Sequence, residues 1–383
     1  MTISNNPNMP EEKYEVTPLE LFFDVVFVFA VSQLSHHLAE NLTWRGTAET
    51  LVMLLAIFAI WFTTSWSATL VQADQARTRW LIFTVMLLSL FMNASVTRAF
   101  TTFGWTFVIP LLVIQLGRAI WMIVNSKRVN SGDAVFQSHY FRVLIWYIPS
   151  TPLWIVGAAV NPQARLLWWA LATVIDQTGR LLEHPLPGKR FRSENVPFDA
   201  DHMLERCRLF LIIALGETVF TAGMAIVTAP TTLMTLITGT FALVGTIALW
   251  SLTFGRSHRL TMRHLEKTKD PIRTSHQATN AVMGLVAGLI ALAVANEEVI
   301  VHPYGHTTLP LSLLLGVGPL IFLLTQGWYL WVVPNVRSNL HFIGGIGLLI
   351  LGFATQLVQP YIALILVGVS LALLALLDRG MTR

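Results

Sequence analysis

The sequence predicts an all-α, polytopic membrane protein of about twelve transmembrane helices, and three observations predict it. Of its 383 residues, 54% are hydrophobic and 12% are charged, roughly half the charged share of a soluble domain. Apolar runs of about 20 residues, enough to cross a hydrocarbon core, recur along the whole chain. Lys and Arg collect in alternate loops between those runs, as the positive-inside rule requires of cytoplasmic loops.

The first span, 17–38, opens with "TPLE". Thr17 is placed to cap, Pro18 falls at the first helical position, where no N–H is needed, and Glu20 falls at the third, completing a capping box. The acidic stretch before it (Glu11, Glu12, Glu15) lacks the basic start of a signal peptide, so this helix is expected to be retained. The next spans are 47–70, rich in Trp, then 79–98 and 104–125. Spans at 141–160 and 164–183 complete a first group of six. Asp199 or Asp201 caps the span 201–225, which is followed by 231–254 and 277–296. Gly284 and Gly288 in the latter form a small-residue packing face. A span at 308–329 precedes two more, 339–357 and 360–378, divided by a tight turn at Gln359-Pro360.

The basic stretch around 180–200 divides six helices from six. The organisation expected is a tail, 1–16, a first half, 17–184, a basic loop, 185–200, and a second half, 201–383. Glu20 before an aromatic apolar run is echoed by Glu205 before "CRLFLIIALGE", in the manner of an internal six-plus-six repeat. With the N-terminus and every second loop on one side, that side holds all but three of the 25 Lys and Arg, namely Arg45, Arg98 and Arg165. Both termini are therefore expected in the cytoplasm. The basic loops 180–192 and 255–273 are expected to meet anionic lipid headgroups.

The candidate functional residues are ionisable groups inside spans, where charge is costly and has to be paired, neutralised or hydrated. Asp24 lies one turn beyond Glu20 on the same face. His202, Glu205 and Arg206 occupy the first turns of the seventh span, and Glu217 sits deeper, beside Gly216, which is expected to admit a close neighbouring helix. Arg206 and Glu217 share a stripe but lie about 16 Å apart along the axis. Asp176 and Arg180 are spaced to pair with each other. Arg118, inside "LLVIQLGRAIWMIV", is placed either to snorkel or to neutralise a carboxylate such as Glu217. Asp24, Asp176, Glu205 and Arg206 share one depth, so a polar cluster there is expected.

Two stretches, "VTPLELFFDVVFVFAVSQLSHHL" (16–38) and "DHMLERCRLFLIIALGETV" (201–219), resemble the bacterial low-temperature-requirement A family in order and spacing. The family pattern includes a Trp-rich second helix, matched by Trp61 and Trp66, with Asp74 beyond. The resemblance implies an integral protein of the bacterial cell membrane linked to growth in the cold, and names no reaction.

No phosphate-binding loop, nucleophile triad, dinucleotide fingerprint or nucleic-acid module is legible, and no cofactor is expected. The His36–His37 and His302–His306 groups lack zinc spacing, so no metal is expected. The single cysteine, Cys207, cannot form an intrachain disulfide. The expected function is a secondary transporter or ion pathway moving a small molecule or ion by way of intramembrane carboxylates. The alternatives are a lipid-modifying intramembrane enzyme and a non-catalytic scaffold or cold sensor.

Overall fold

Thirteen α-helices make up the computed structural model, which describes residues 16–71, 76–101, 103–129, 134–186, 198–268 and 270–380. Asp74, most of the 185–200 loop and the tail 1–15 lie outside the described residues. The helices are α1 (Pro18–Glu40), α2 (Trp44–Val71), α3 (Ala76–Ala94), α4 (Gly104–Val129), α5 (Ala134–Ala159) and α6 (Pro162–Leu181). They continue as α7 (Ala200–Thr228), α8 (Leu233–Leu252), the short α9 (His258–Leu265), α10 (Pro271–Val301), α11 (Leu309–Val332), α12 (Asn339–Ala354) and α13 (Pro360–Gly380). The twelve long helices fall on the twelve expected spans. Among the described residues, nine segments are long and apolar enough to cross a membrane by length and composition. The others, α3, α5 and α6, are interrupted by polar groups such as Arg79, His139 and Asp176. The chain is a polytopic helical membrane protein. Its outer surface is apolar, with Phe22, Phe91, Ile148, Val174 and Phe220 among the exposed side chains, as contact with lipid requires.

One boundary departs from expectation. The eighth span does not stop at 254: a π-helical turn, Thr253–Ser257, carries α8 into α9, bending at Gly255, whose ψ of −109° is non-helical. Asp270 then caps α10, with its side chain accepting from Arg273 N and Pro271 following at the start. The helix therefore starts at Pro271, six residues before the expected start of the span.

Helix neighbours recur in order. In the first half α1 packs on α2 and α3, α3 on α4, α4 on α5, α5 on α6, and α2 on α6. In the second half α7 packs on α8 and α10, α10 on α11, α11 on α12, α12 on α13, and α8 on α13. Contacts of α1 and α2 with α7 and α10 join the two sets.

The small-residue face of α10 packs as its pattern requires. A Cβ on Gly288 would sit 2.7 Å from the Gly318 carbonyl oxygen, and one on Gly284 2.5 Å from Thr325 Oγ1. Only hydrogen at those positions lets α10 and α11 come this close. Gly216 behaves otherwise: a Cβ there meets nothing within 4 Å, so the close helix expected beside it is absent.

Candidate functional site

The two sequence stretches singled out above meet in space. Thr17 caps α1, its hydroxyl accepting from Glu20 N, while the Glu20 carboxylate accepts from Thr17 N at 3.0 Å. Asp199 caps α7 in the same way, accepting from His202 N at 2.9 Å. The caps fix the first turns of two helices that lie against each other. Across that seam His202 Nε2 stands 3.1 Å from Glu20 Oε2. Arg206 Nη2 donates to Asp24 Oδ1 at 2.8 Å, and its Nη1 lies 3.6 Å from Glu20 Oε1. All four side chains are buried, Asp24 completely.

A second layer completes the set. Trp61 Nε1 of α2 donates to Asp24 Oδ1 at 2.8 Å, and Thr69 Oγ1 lies 3.3 Å from His202 Nδ1. The Arg206 guanidinium lies over the Phe23 ring, 5.4 Å from its centroid. Trp61 is held in turn by Phe58 and Phe210.

The electrostatics follow from position. Glu20 and Asp24 lie at the positive end of the α1 dipole, which favours carboxylates. His202 and Arg206 occupy the equivalent end of α7, which disfavours cations, so their stabilisation comes from the acids across the seam. Two carboxylates face one permanent cation and one imidazole. With both acids ionised, one proton on the imidazole makes the four groups neutral; with no proton held by the set they carry one net negative charge in a low-dielectric site.

The other expected residues separate. The single cluster expected at one depth is resolved into three. Asp176 accepts from Trp154 Nε1 at 3.0 Å and Gln115 Nε2 at 3.4 Å. It does not pair with Arg180, which reaches away to Gln177 and to Asn280 Oδ1 of α10 at 2.6 Å and covers the Phe62 ring. Glu205 is partly exposed and pairs with Arg208 at 3.2 Å. Glu217 is half-buried, within reach of Ser32 on α1 and Thr221 on its own helix, with His36 nearby. Arg118 does not neutralise Glu217: it is buried between α2 and α5, donating to Ser67 and Tyr147 at 3.3 Å each.

Several contributions are not legible in sequence. Trp61 is marked there only as part of a Trp-rich second helix, and the fold turns its N–H toward Asp24. Asn93 of α3 donates to the Val26 carbonyl at 2.8 Å and braces α1 from the other side. Arg165 is buried and donates to the carbonyls of Gly157, Ala158, Val160, Ala99 and Thr101, tying the start of α6 to the segment before α4.

A helical bundle of this kind, with an ionic cluster buried between α1 and α7, defines a multi-pass membrane protein. The chain belongs to the bacterial low temperature requirement A family: the signature described as "Bacterial low temperature requirement A protein (LtrA)" matches residues 15–376. It is 30% identical over 347 residues to an uncharacterised protein of Rhizobium meliloti (strain 1021), a match covering 90% of this chain and 83% of that one. No solved structure matches.

Proposed function

We propose that the chain is a proton-linked secondary transporter of the bacterial inner membrane. The observation that carries this reading is the buried set Glu20, Asp24, His202 and Arg206, placed between two helical halves, in which two acids and an imidazole surround one fixed cation, so that a single proton held by the set balances its charge. Taking up or releasing that proton changes the attraction between α1 and α7. That is the coupling a rocking carrier needs between ion binding and movement of one half against the other. Glu217, with Ser32 and His36 further along the same seam, is assigned as a second protonatable station. The matching order of helix neighbours supports reading 17–184 and 201–383 as two repeats.

Both termini are assigned to the cytoplasm. The gathering of Arg45, Arg98 and Arg165 supports this: Arg45 donates to Pro162 O at 2.7 Å, and Arg165 to Ala99 O at 2.7 Å, so the three mark one end of the bundle. The basic loops at the other end are assigned to anionic lipid headgroups. The family's description supports a requirement during growth in the cold. Purified protein in liposomes, given an inward proton gradient and a panel of metabolites and ions, tests the reading. Concentrative uptake that collapses with the gradient is expected; no gradient-driven flux of any solute refutes it.

A further inference from the structure

A second polar chamber lies away from the ionic seam. It is enclosed by α2, α4, α5, the end of α6 and the start of α10, and its wall carries Arg118, Arg180, His139, His184 and His276. Arg118 is 3% exposed; among the described residues it holds the neutral Ser67 and Tyr147 hydroxyls, and its Nε has no partner. Arg180 holds the neutral Gln177 and Asn280 amides. Among the described residues neither guanidinium has a carboxylate at ion-pair distance. Two buried, fixed positive charges with no counter-charge at contact among the described residues are costly in a membrane protein. Glu183 is the one carboxylate lining the chamber, and it lies partly exposed after the end of α6.

The chamber is shaped as well as charged. Phe62 lies under the Arg180 guanidinium at 5.2 Å, and Trp66 packs on His276 at 4.5 Å. Glu183 and His184 both adopt left-handed backbone, with φ of 59° and 53°. That conformation is strained in non-glycine residues and persists where surroundings enforce it. It folds the end of α6 back, with His184 N donating to Gly179 O at 2.7 Å, and sets the imidazole against the chamber beside His139, at a ring separation of 6.1 Å. A larger cavity lined by Asp270, Arg273, Asn280 and Trp328 shares Arg180, Glu183 and His276 with the chamber.

We propose that this chamber binds a small oxyanion from the aqueous phase, a carboxylate or phosphate seated between Arg118 and Arg180. Guanidinium groups offer paired N–H donors that match such oxygens, and imidazoles and Tyr140 supply neutral donors around them. The chamber itself has room for a phosphate-sized group. The claim concerns binding and holds whether or not the protein moves a solute.

The full chain in nanodiscs of zwitterionic lipid is titrated with inorganic phosphate, sulfate and acetate against chloride at constant ionic strength. Calorimetry and the thermal midpoint report binding. At least one oxyanion is expected to bind saturably and raise the midpoint. Arg118→Lys and Arg180→Lys keep the charge while removing the paired donors, and each is expected to weaken that binding by about tenfold or more. Arg208→Gln, which loses only the partly exposed pair with Glu205, is expected to bind like the parent. Absence of saturable binding by all three anions overturns the proposal. So does unchanged affinity in both lysine variants. Nanodiscs containing phosphatidylglycerol separate the sources: retained phosphate binding supports a soluble ligand, and its complete loss assigns the chamber to a lipid headgroup and overturns the aqueous claim.

Discussion

Glu20 and His202 stand 182 residues apart in the chain, yet each is the third residue after its helix cap, and their side chains meet at 3.1 Å. Asp24 and Arg206 repeat the relationship one turn further on, again 182 residues apart. α1 and α7 thus present acids and bases at equal register, and each acid is paired with a base across the seam.

That pairing makes the effects of substitution interdependent. Arg206→Gln leaves Asp24 and Glu20 without their fixed cation and should cost about 3–5 kcal/mol. Adding Asp24→Asn removes the stranded charge and should recover much of the loss. Thermal unfolding of the purified single and double variants measures the coupling. Strictly additive losses would show that the pair contributes nothing as a pair.

Transport should separate two kinds of carboxylate loss. Glu20→Gln retains a capping-box residue and Glu217→Gln retains volume, so both should reach the membrane at normal abundance. Each should lose gradient-driven uptake while sparing exchange of solute across the membrane. Asp176→Asn, whose partners are Trp154 and Gln115, should leave uptake within about twofold of the parent. Full gradient-driven uptake by the Glu20 and Glu217 variants would remove protons from the mechanism.

His184 lies beyond the end of α6 and gives a stability test in pH. Burial, then the nearby His139, Arg118, Arg142 and Arg180, hold its imidazole down at about 3, against 6.5 for a free side chain. The unfolded chain takes up this proton below about 6.5 and the folded chain does not. Stability from this group is therefore complete above that pH and falls as pH drops toward 3, by up to about 1.4 kcal/mol per unit. His184→Gln should flatten the decline in thermal midpoint between pH 7 and pH 5. An unchanged slope would mean His184 is protonated in the fold.

Sidedness is open to chemical labelling because the sole cysteine, Cys207, is buried. Cysteines at the exposed Lys267 and Tyr304 should react from opposite faces, the first from the cytoplasm. Labelling of both from one face would break the assigned topology.

The spans were legible in the sequence because lipid imposes one rule along every helix, that about 20 residues be apolar. The first turn of α1 was legible because capping is a local matter of Thr17, Pro18 and Glu20. What could not be read is which groups meet across helices. Glu20 and Asp24 mark their own helix as polar but do not name His202 and Arg206. The i,i+4 spacing of Asp176 and Arg180 permits a pair that the fold declines, because Trp154 and Asn280 reach them first. Glu217 lies deep in an apolar run, yet only half of it is covered, since the next helix does not close over Gly216. Gly255 gave no warning of a bend, because nothing in a single sequence distinguishes a tolerated helical glycine from one at a π turn.

The ionic seam also sets a schedule for biosynthesis. Glu20 and Asp24 emerge 182 residues before the bases that neutralise them, a wait of roughly 10–40 s at ordinary rates of translation. Through that interval α1 is a helix with two uncompensated acids near one end. It has to rest at the membrane edge, keep its acids protonated, or be shielded by the insertion machinery. Assembly is then gated by arrival of α7, and a chain truncated before Arg206 exposes to quality control the charges that the finished protein hides.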